Sequence, residues 1–238
     1  MTHYPKATIV NALAILIGGL IGYFFQGLLP EGSKVILFQA IGLGTILIGV
    51  KMALKLPDGY MLVFMFSLIL GGLLGEAIHL DKLLTSMSDT LKEVVGADDS
   101  MFTEGLITAF MLFCIGSMTI VGALEEGLRA DRELLYIKSL LDGFSAVALT
   151  ATFGIGVIFS IIPLLLFQGG ITLTARYLDR LLSSAMIDTL TAVGGMLIIG
   201  ISVRLLQLGS INLENLLPSL LVALLLSKAY EKYQSKRA

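Results

Sequence analysis

Lys138 and Asp142 stand one helical turn apart inside a long apolar run, and with Ser145 and Thr152 they make a polar stripe at positions i, i+4, i+7 and i+14. Charge inside a membrane-crossing helix costs free energy and tends to mark a substrate, ion or proton site. A carboxylate here can bind or couple a cation, with Lys138 as its charge partner. The same two residues also suit a self-satisfied ion pair that lets the segment insert. Asp142 lies one turn nearer the membrane centre, whereas the long Lys138 stem can reach back toward the cytoplasmic face. Asn11 adds an uncharged polar group to the first apolar run, and Gln39 to the second, where each suits a helix–helix hydrogen bond worth roughly 0.6 kcal/mol.

A second constellation is backbone rather than side chain. Gly154, Gly156, Pro163, Gln168, Gly169 and Gly170 crowd into one stretch of the sequence. Pro163 removes a helical hydrogen bond and frees a carbonyl one turn earlier. Freed carbonyls and half-helix ends are a common way to hold ions, so Pro163, Gln168, Gly169 and Gly170 join Asp142, Lys138, Ser145 and Asn11 as candidate substrate- or ion-binding residues. An ordinary proline kink is the alternative. Glu125 and Glu126 close another apolar run. They suit either a pathway mouth that attracts a cation or a solvated helix end.

The elements that must position these residues are long and apolar. The 238-residue chain is 56% hydrophobic and 14% charged, against about 25% charged in soluble domains. Its apolar runs approach the roughly 20 residues that cross a ~30 Å hydrocarbon core. Spans are expected near 7–28, 35–55, 60–79, 103–124, 133–153, 154–172, 187–207 and 213–230. Residues 133–167 as one helix would be ~52 Å long, too long for a single crossing, so a break is expected at Gly154-Ile155-Gly156 or at Pro163. Charge counting favours that break. With eight spans, 12 Lys and Arg fall on one side and 4 on the other. Merging the fifth and sixth spans erases the bias (seven spans remain the alternative). A positive-inside asymmetry of this kind puts both termini in the cytoplasm. All seven tyrosines fall near predicted span ends, where amphipathic rings settle. Segments 80–95 and 177–186 carry apolar residues on one face and read as interfacial or loop helices.

Several function classes are excluded or disfavoured. No basic patch is interleaved with aromatics, so no nucleic-acid partner is expected. The single cysteine, Cys114, forms no disulfide framework. No HExxH, CxxC, GxSxG or phosphate loop appears, and GIGVIF at 154–159 has Phe159 where a dinucleotide fingerprint needs glycine. No catalytic residue, metal or cofactor is assigned, and the chain reads as a non-enzyme.

Glycines suggest packing and repetition. Gly18 with Gly22 and Gly71 with Gly75 form GxxxG, which lets helix backbones approach closely. Gly116, Gly194 and Gly195 suit the same role, or backbone lining a pathway. CIGSMTIVG at 114–122 aligns with AVGGMLIIG at 192–200, and LIGGLIG at 16–22 resembles LILGGLLG at 68–75. The pattern suggests inverted repeat-like halves at about 7–79 and 154–230 linked by spans near 103–153, an architecture common among transporters. Composition alone also makes glycine-rich helices alike.

TIVNALAILIGGLIG at 8–22, GGLLGE at 71–76, CIGSMTIVGALEEGL at 114–128, KSLLDGFSA at 138–146, TAVGGMLIIGISVRLL at 191–206 and NLLPSLLVALL at 215–225 together resemble the bacterial YqgA/YdfK membrane family, domain of unknown function 554. The resemblance covers nearly the whole chain. It implies a bacterial inner-membrane protein and supplies no substrate or activity. The expected protein is thus an all-α polytopic transmembrane bundle in one transmembrane domain. Its expected function is a small-solute or ion transporter or channel. A membrane scaffold or regulatory subunit that binds partner helices through glycine faces is the alternative. Expected partners are the lipid bilayer, a small solute or cation, and further copies of the chain, a dimer above all.

Overall fold

The computed structural model describes residues 4–26, 31–95 and 101–235, and every regular element in them is helical. In order these are α1 (Lys6–Gln26), α2 (Glu31–Ala53), α3 (Met61–Ala77), α4 (Leu80–Val95), α5 (Phe102–Cys114), α6 (Ser117–Arg129), α7 (Glu133–Phe153), α8 (Gly156–Phe159), α9 (Ile161–Leu178), α10 (Ser184–Leu205), α11 (Leu213–Leu216) and α12 (Ser219–Gln234). Among them five helical segments are long and apolar enough to cross a membrane, and seven if each of two bent pairs is one span. The expected crossing near 35–55 corresponds to α2, a helix of 23 residues. The protein is an all-α polytopic bundle.

The chain forms two compact units, Met1–Ile41 with Ser88–Leu181 and Gly42–Met87 with Leu182–Ala238. Each unit draws segments from both 7–79 and 154–230, the two stretches expected to be repeat-like.

In the first unit α1 packs mainly on α7, and α6 on α9. The buried face of α1 carries Ala7, Thr8, Asn11, Ala12, Ile15, Gly18, Gly19 and Gly22, one stripe at helical spacing. Its two GxxxG glycines lie directly against α7: a methyl on Gly18 would collide with the Gly143 carbonyl, and one on Gly22 with the Val147 carbonyl. Gly127 brings α6 equally close to the Thr172 carbonyl of α9. Helix α7 stops at Gly154, whose φ of 81° is a conformation that side chains with a Cβ rarely adopt. Two residues on, Gly156 admits the backbone of Phe102, which seats the start of α5.

In the second unit α3 lies along α11 and α12. Gly71 meets the Ser219 backbone and Gly75 the Asn215 backbone. Gly195 of α10 faces Gly49 of α2, and a methyl on it would sit 2.6 Å from the Gly49 carbonyl oxygen. Gly194 is buried in α10. Polar groups cluster at the end of α3: Asn215 donates to Glu76 (2.7 Å) and accepts from the Asp81 amide (2.8 Å).

Three expectations change, and a fourth resolves between its two alternatives. The fourth expected span is two helices, α5 and α6, bent by 57° around Ile115-Gly116. The break between the fifth and sixth spans falls at Gly154-Ile155, while Pro163 sits in the first turn of α9, where a missing N–H costs no helical bond. Segment 177–186 is the end of α9, a turn and the start of α10, not an interfacial helix. Gly116 does no packing, because nothing lies within 4 Å of where its Cβ would be. The expected turn at Gly96-Ala97-Asp98-Asp99 and residue Pro30 lie outside the described residues.

The packing glycines separate cleanly by substitution. Gly75→Leu, which drives a side chain into Asn215 backbone, should destabilise the protein by about 3 kcal/mol or more, at or beyond the upper end for overpacking. Gly44→Leu, at an exposed position with nothing within 4 Å, should change stability by under about 0.5 kcal/mol. Thermal unfolding of both variants in detergent checks the contrast.

Candidate functional site

The face of α1 that holds Gly18 and Gly22 also carries Thr8 and Asn11, so the same close approach that packs α1 on α7 brings Asn11 to Asp142. Asn11 Nδ2 donates to Asp142 Oδ2 at 2.9 Å and to Gln168 Oε1 of α9 at 3.2 Å. Gln168 Nε2 in turn donates to Thr8 Oγ1 at 3.1 Å. The Lys138 ammonium binds Asp142 Oδ2 directly. Asn11 and Gln168 are fully buried, and Lys138 and Asp142 are 5% and 7% exposed. Three helices thus enclose a charged pair and two amides in the apolar interior of the first unit.

Helix α5 packs on both α7 and α9, and its last residue before the break, the buried Cys114, feels the charges of Lys138 and Asp142. At the break Ile115 and Gly116 are extended. Thr119 of α6 turns back to cap the Phe113 carbonyl at 3.0 Å, so part of the backbone polarity freed by the break is satisfied locally.

Toward the start of α1 lies a second charged group. Glu126 is fully buried, and its Oε1 accepts from the Ala7 amide at 2.9 Å and from Arg132 Nε at 2.8 Å. A carboxylate at a helix N-terminus satisfies an otherwise orphaned amide and suits the helix dipole. Glu126 is therefore not the solvated mouth or helix end that the sequence suggested; Glu125 beside it is only partly buried. Among the described residues of this unit, four buried side-chain atoms have no hydrogen-bond partner: Asn11 Oδ1, Glu126 Oε2, Thr150 Oγ1 and Ser160 Oγ.

The remaining sequence candidates separate. Asp142, Lys138, Asn11 and Gln168 come together. Ser145 is only partly buried and takes no part in these hydrogen bonds, and Thr152 bonds its own helix at Ala148. Gly169 and Gly170 lie in unbroken α9, so they offer no half-helix end. The hydroxyls of Thr172 and Thr174 bond the carbonyls of Gln168 and Gly170. The sequence reading missed Thr8, Arg132 and Cys114. Thr8 was detectable, since it precedes Asn11 by three residues on one helix face. Cys114 and Arg132 carry no such local signal.

Comparison with known proteins agrees with the architecture. Residues 6–228 match the family described as Protein of unknown function (DUF554). The chain belongs to that family. Among its DUF554 relatives, the Uncharacterized membrane protein YdfK of Bacillus subtilis is 35% identical over 217 residues, covering 90% of this chain and 92% of the relative. The Uncharacterized protein YqgA of Escherichia coli is 30% identical over 227 residues, covering 93% and 95%. No solved structure matches.

Removing one member of the charged pair strands the other. Asp142→Leu should cost on the order of 3–5 kcal/mol because it leaves the Lys138 ammonium buried without a counter-charge. The double change Lys138→Met with Asp142→Leu should recover most of that loss. Unfolding in detergent of the two single variants and the double variant gives the coupling directly.

Proposed function

We propose that this protein is a small-solute or ion transporter or channel of the bacterial cytoplasmic membrane, with Asp142 as the binding carboxylate. The observation that carries the reading is the Lys138–Asp142 pair, buried among α1, α7 and α9 in a unit that also holds the break between α5 and α6. Broken helices are tolerated at membrane depth where they are buried in protein or line a cavity, and buried charges there tend to serve ion and substrate pathways. The 12-to-4 distribution of Lys and Arg supports cytoplasmic termini. The scaffold alternative drew on free glycine faces, and Gly18, Gly22, Gly71 and Gly75 each abut a helix of this same chain.

Thermal stability of the purified protein across a panel of ions and small metabolites tests the reading. A ligand specific to the folded state stabilises by about 2.7 kcal/mol at one hundred times its Kd. One ligand should raise the melting temperature of wild type and leave Asp142→Asn unmoved. If nothing shifts wild type and Asp142→Asn is equally stable, Asp142 is not a binding site. Fusions of a reporter to each end should place both on the cytoplasmic side; a periplasmic signal from either would overturn the proposed orientation.

A further inference from the structure

We infer that the species taken at Asp142 is a small monovalent cation, and that the Lys138 ammonium is its built-in substitute, neutralising the carboxylate while the site is empty. The inference rests on the transporter reading and names its substrate class.

The first support is the unpartnered atom nearest the carboxylate in the bonding network. Asn11 is fully buried, its Nδ2 donates to both Asp142 and Gln168, and its Oδ1 has no partner. Rotating the amide would set its oxygen against the carboxylate oxygen and the Gln168 oxygen, so the amide orientation is dictated by its neighbours. The vacant position is therefore an acceptor. A buried acceptor without a donor is unfavourable, and an electron-poor species satisfies it. Glu126 Oε2, the other unpartnered atom without a proton of its own, is likewise an acceptor.

Charge sets the valence. When Lys138 leaves, Asp142 presents one negative charge, held by the Asn11 amide whose oxygen is unpartnered. A monovalent cation restores neutrality, whereas a divalent ion would leave excess charge in a poorly screened interior. Among the described residues no three of His, Cys, Asp and Glu cluster to hold a metal, which also argues against a divalent site. An anion would have to displace Asp142 from Lys138 and face the carboxylate. The ammonium is suited to withdraw, because it is a point charge on a flexible four-carbon stem one turn away along α7.

The decisive experiment is a thermal-shift titration of purified protein with LiCl, NaCl, KCl and NH4Cl at constant ionic strength, balanced by N-methyl-D-glucamine chloride. Parallel titrations use N-methyl-D-glucamine phosphate and acetate and neutral solutes. One small cation should shift wild type, Lys138→Gln should respond at about tenfold lower concentration, and Asn11→Leu should need about tenfold more, each tenfold being a 1.4 kcal/mol change in binding. Asp142→Asn should not respond. The double change Lys138→Gln with Asp142→Asn removes both charges and should fold without responding, so lost response is not mistaken for lost structure. If Lys138→Gln alone does not fold, the Asn11→Leu titration carries the test. An Asp142-dependent shift from an anion or neutral solute, with none from cations, overturns this inference and leaves the transporter reading intact. Lys138→Gln that responds no more sensitively than wild type overturns the role of the ammonium. Silence from every ligand in every variant overturns both.

Discussion

A charge removed from water must find its compensation inside the protein, and the first unit is built around that constraint. Asp142 cannot remain ionised in an apolar interior without a counter-charge and hydrogen-bond donors. Lys138 supplies the charge from one turn away, and Asn11 supplies a donor from a different helix. The Asn11 contact needs α1 and α7 to approach more closely than ordinary side chains permit. Gly18, Gly22 and Gly143 make that approach, so the packing of glycines and the neutralising of a carboxylate are one requirement. Gln168 extends the arrangement to α9 and back to Thr8, giving the pair an amide shell drawn from both neighbouring helices.

The same logic operates at the start of α1. Its first amides have no intrahelical partners, and in a low-dielectric setting they must be met. Glu126 meets one of them from α6, and Arg132 balances its charge from the residue ahead of α7. One carboxylate thus ties three elements together. In both places a buried carboxylate is tolerated because a counter-charge and additional hydrogen bonds share the cost of desolvation. Unpartnered oxygen atoms remain in both, and they are acceptors.

Close backbone contact recurs in the second unit without the buried charge pair. Gly71 and Gly75 serve α3 as Gly18 and Gly22 serve α1, and the partner surface is the backbone of Ser219 and Asn215. Here the polar groups gather at the end of α3, where Asn215 links Glu76 to Asp81. Helices in lipid gain little from hydrophobic association with one another, so close van der Waals contact through small residues takes over that role in both units.

The sequence by itself determined the class of protein and most of its helices. Apolar runs of span length leave few other solutions, and GxxxG spacing marks close faces because it follows from helical geometry alone. It also picked out Asp142, Lys138, Asn11 and Gln168, since a polar side chain in an apolar run is conspicuous wherever the chain folds. It could not tell whether Asn11 and Gln168 face the pair or lipid, because that depends on which helices become neighbours across 131 and 157 residues. It put a break at Gly154-Ile155-Gly156 or at Pro163, since proline and glycine are the visible helix breakers, and the chain breaks at the first. Tertiary packing added a second break at Ile115-Gly116. An apolar run continues through that point, and helix propensities differ by too little per residue to reveal it. Burial of Glu126 was likewise decided by tertiary structure: a carboxylate at the end of a helix reads as solvated until another helix brings its unpaired amides to it.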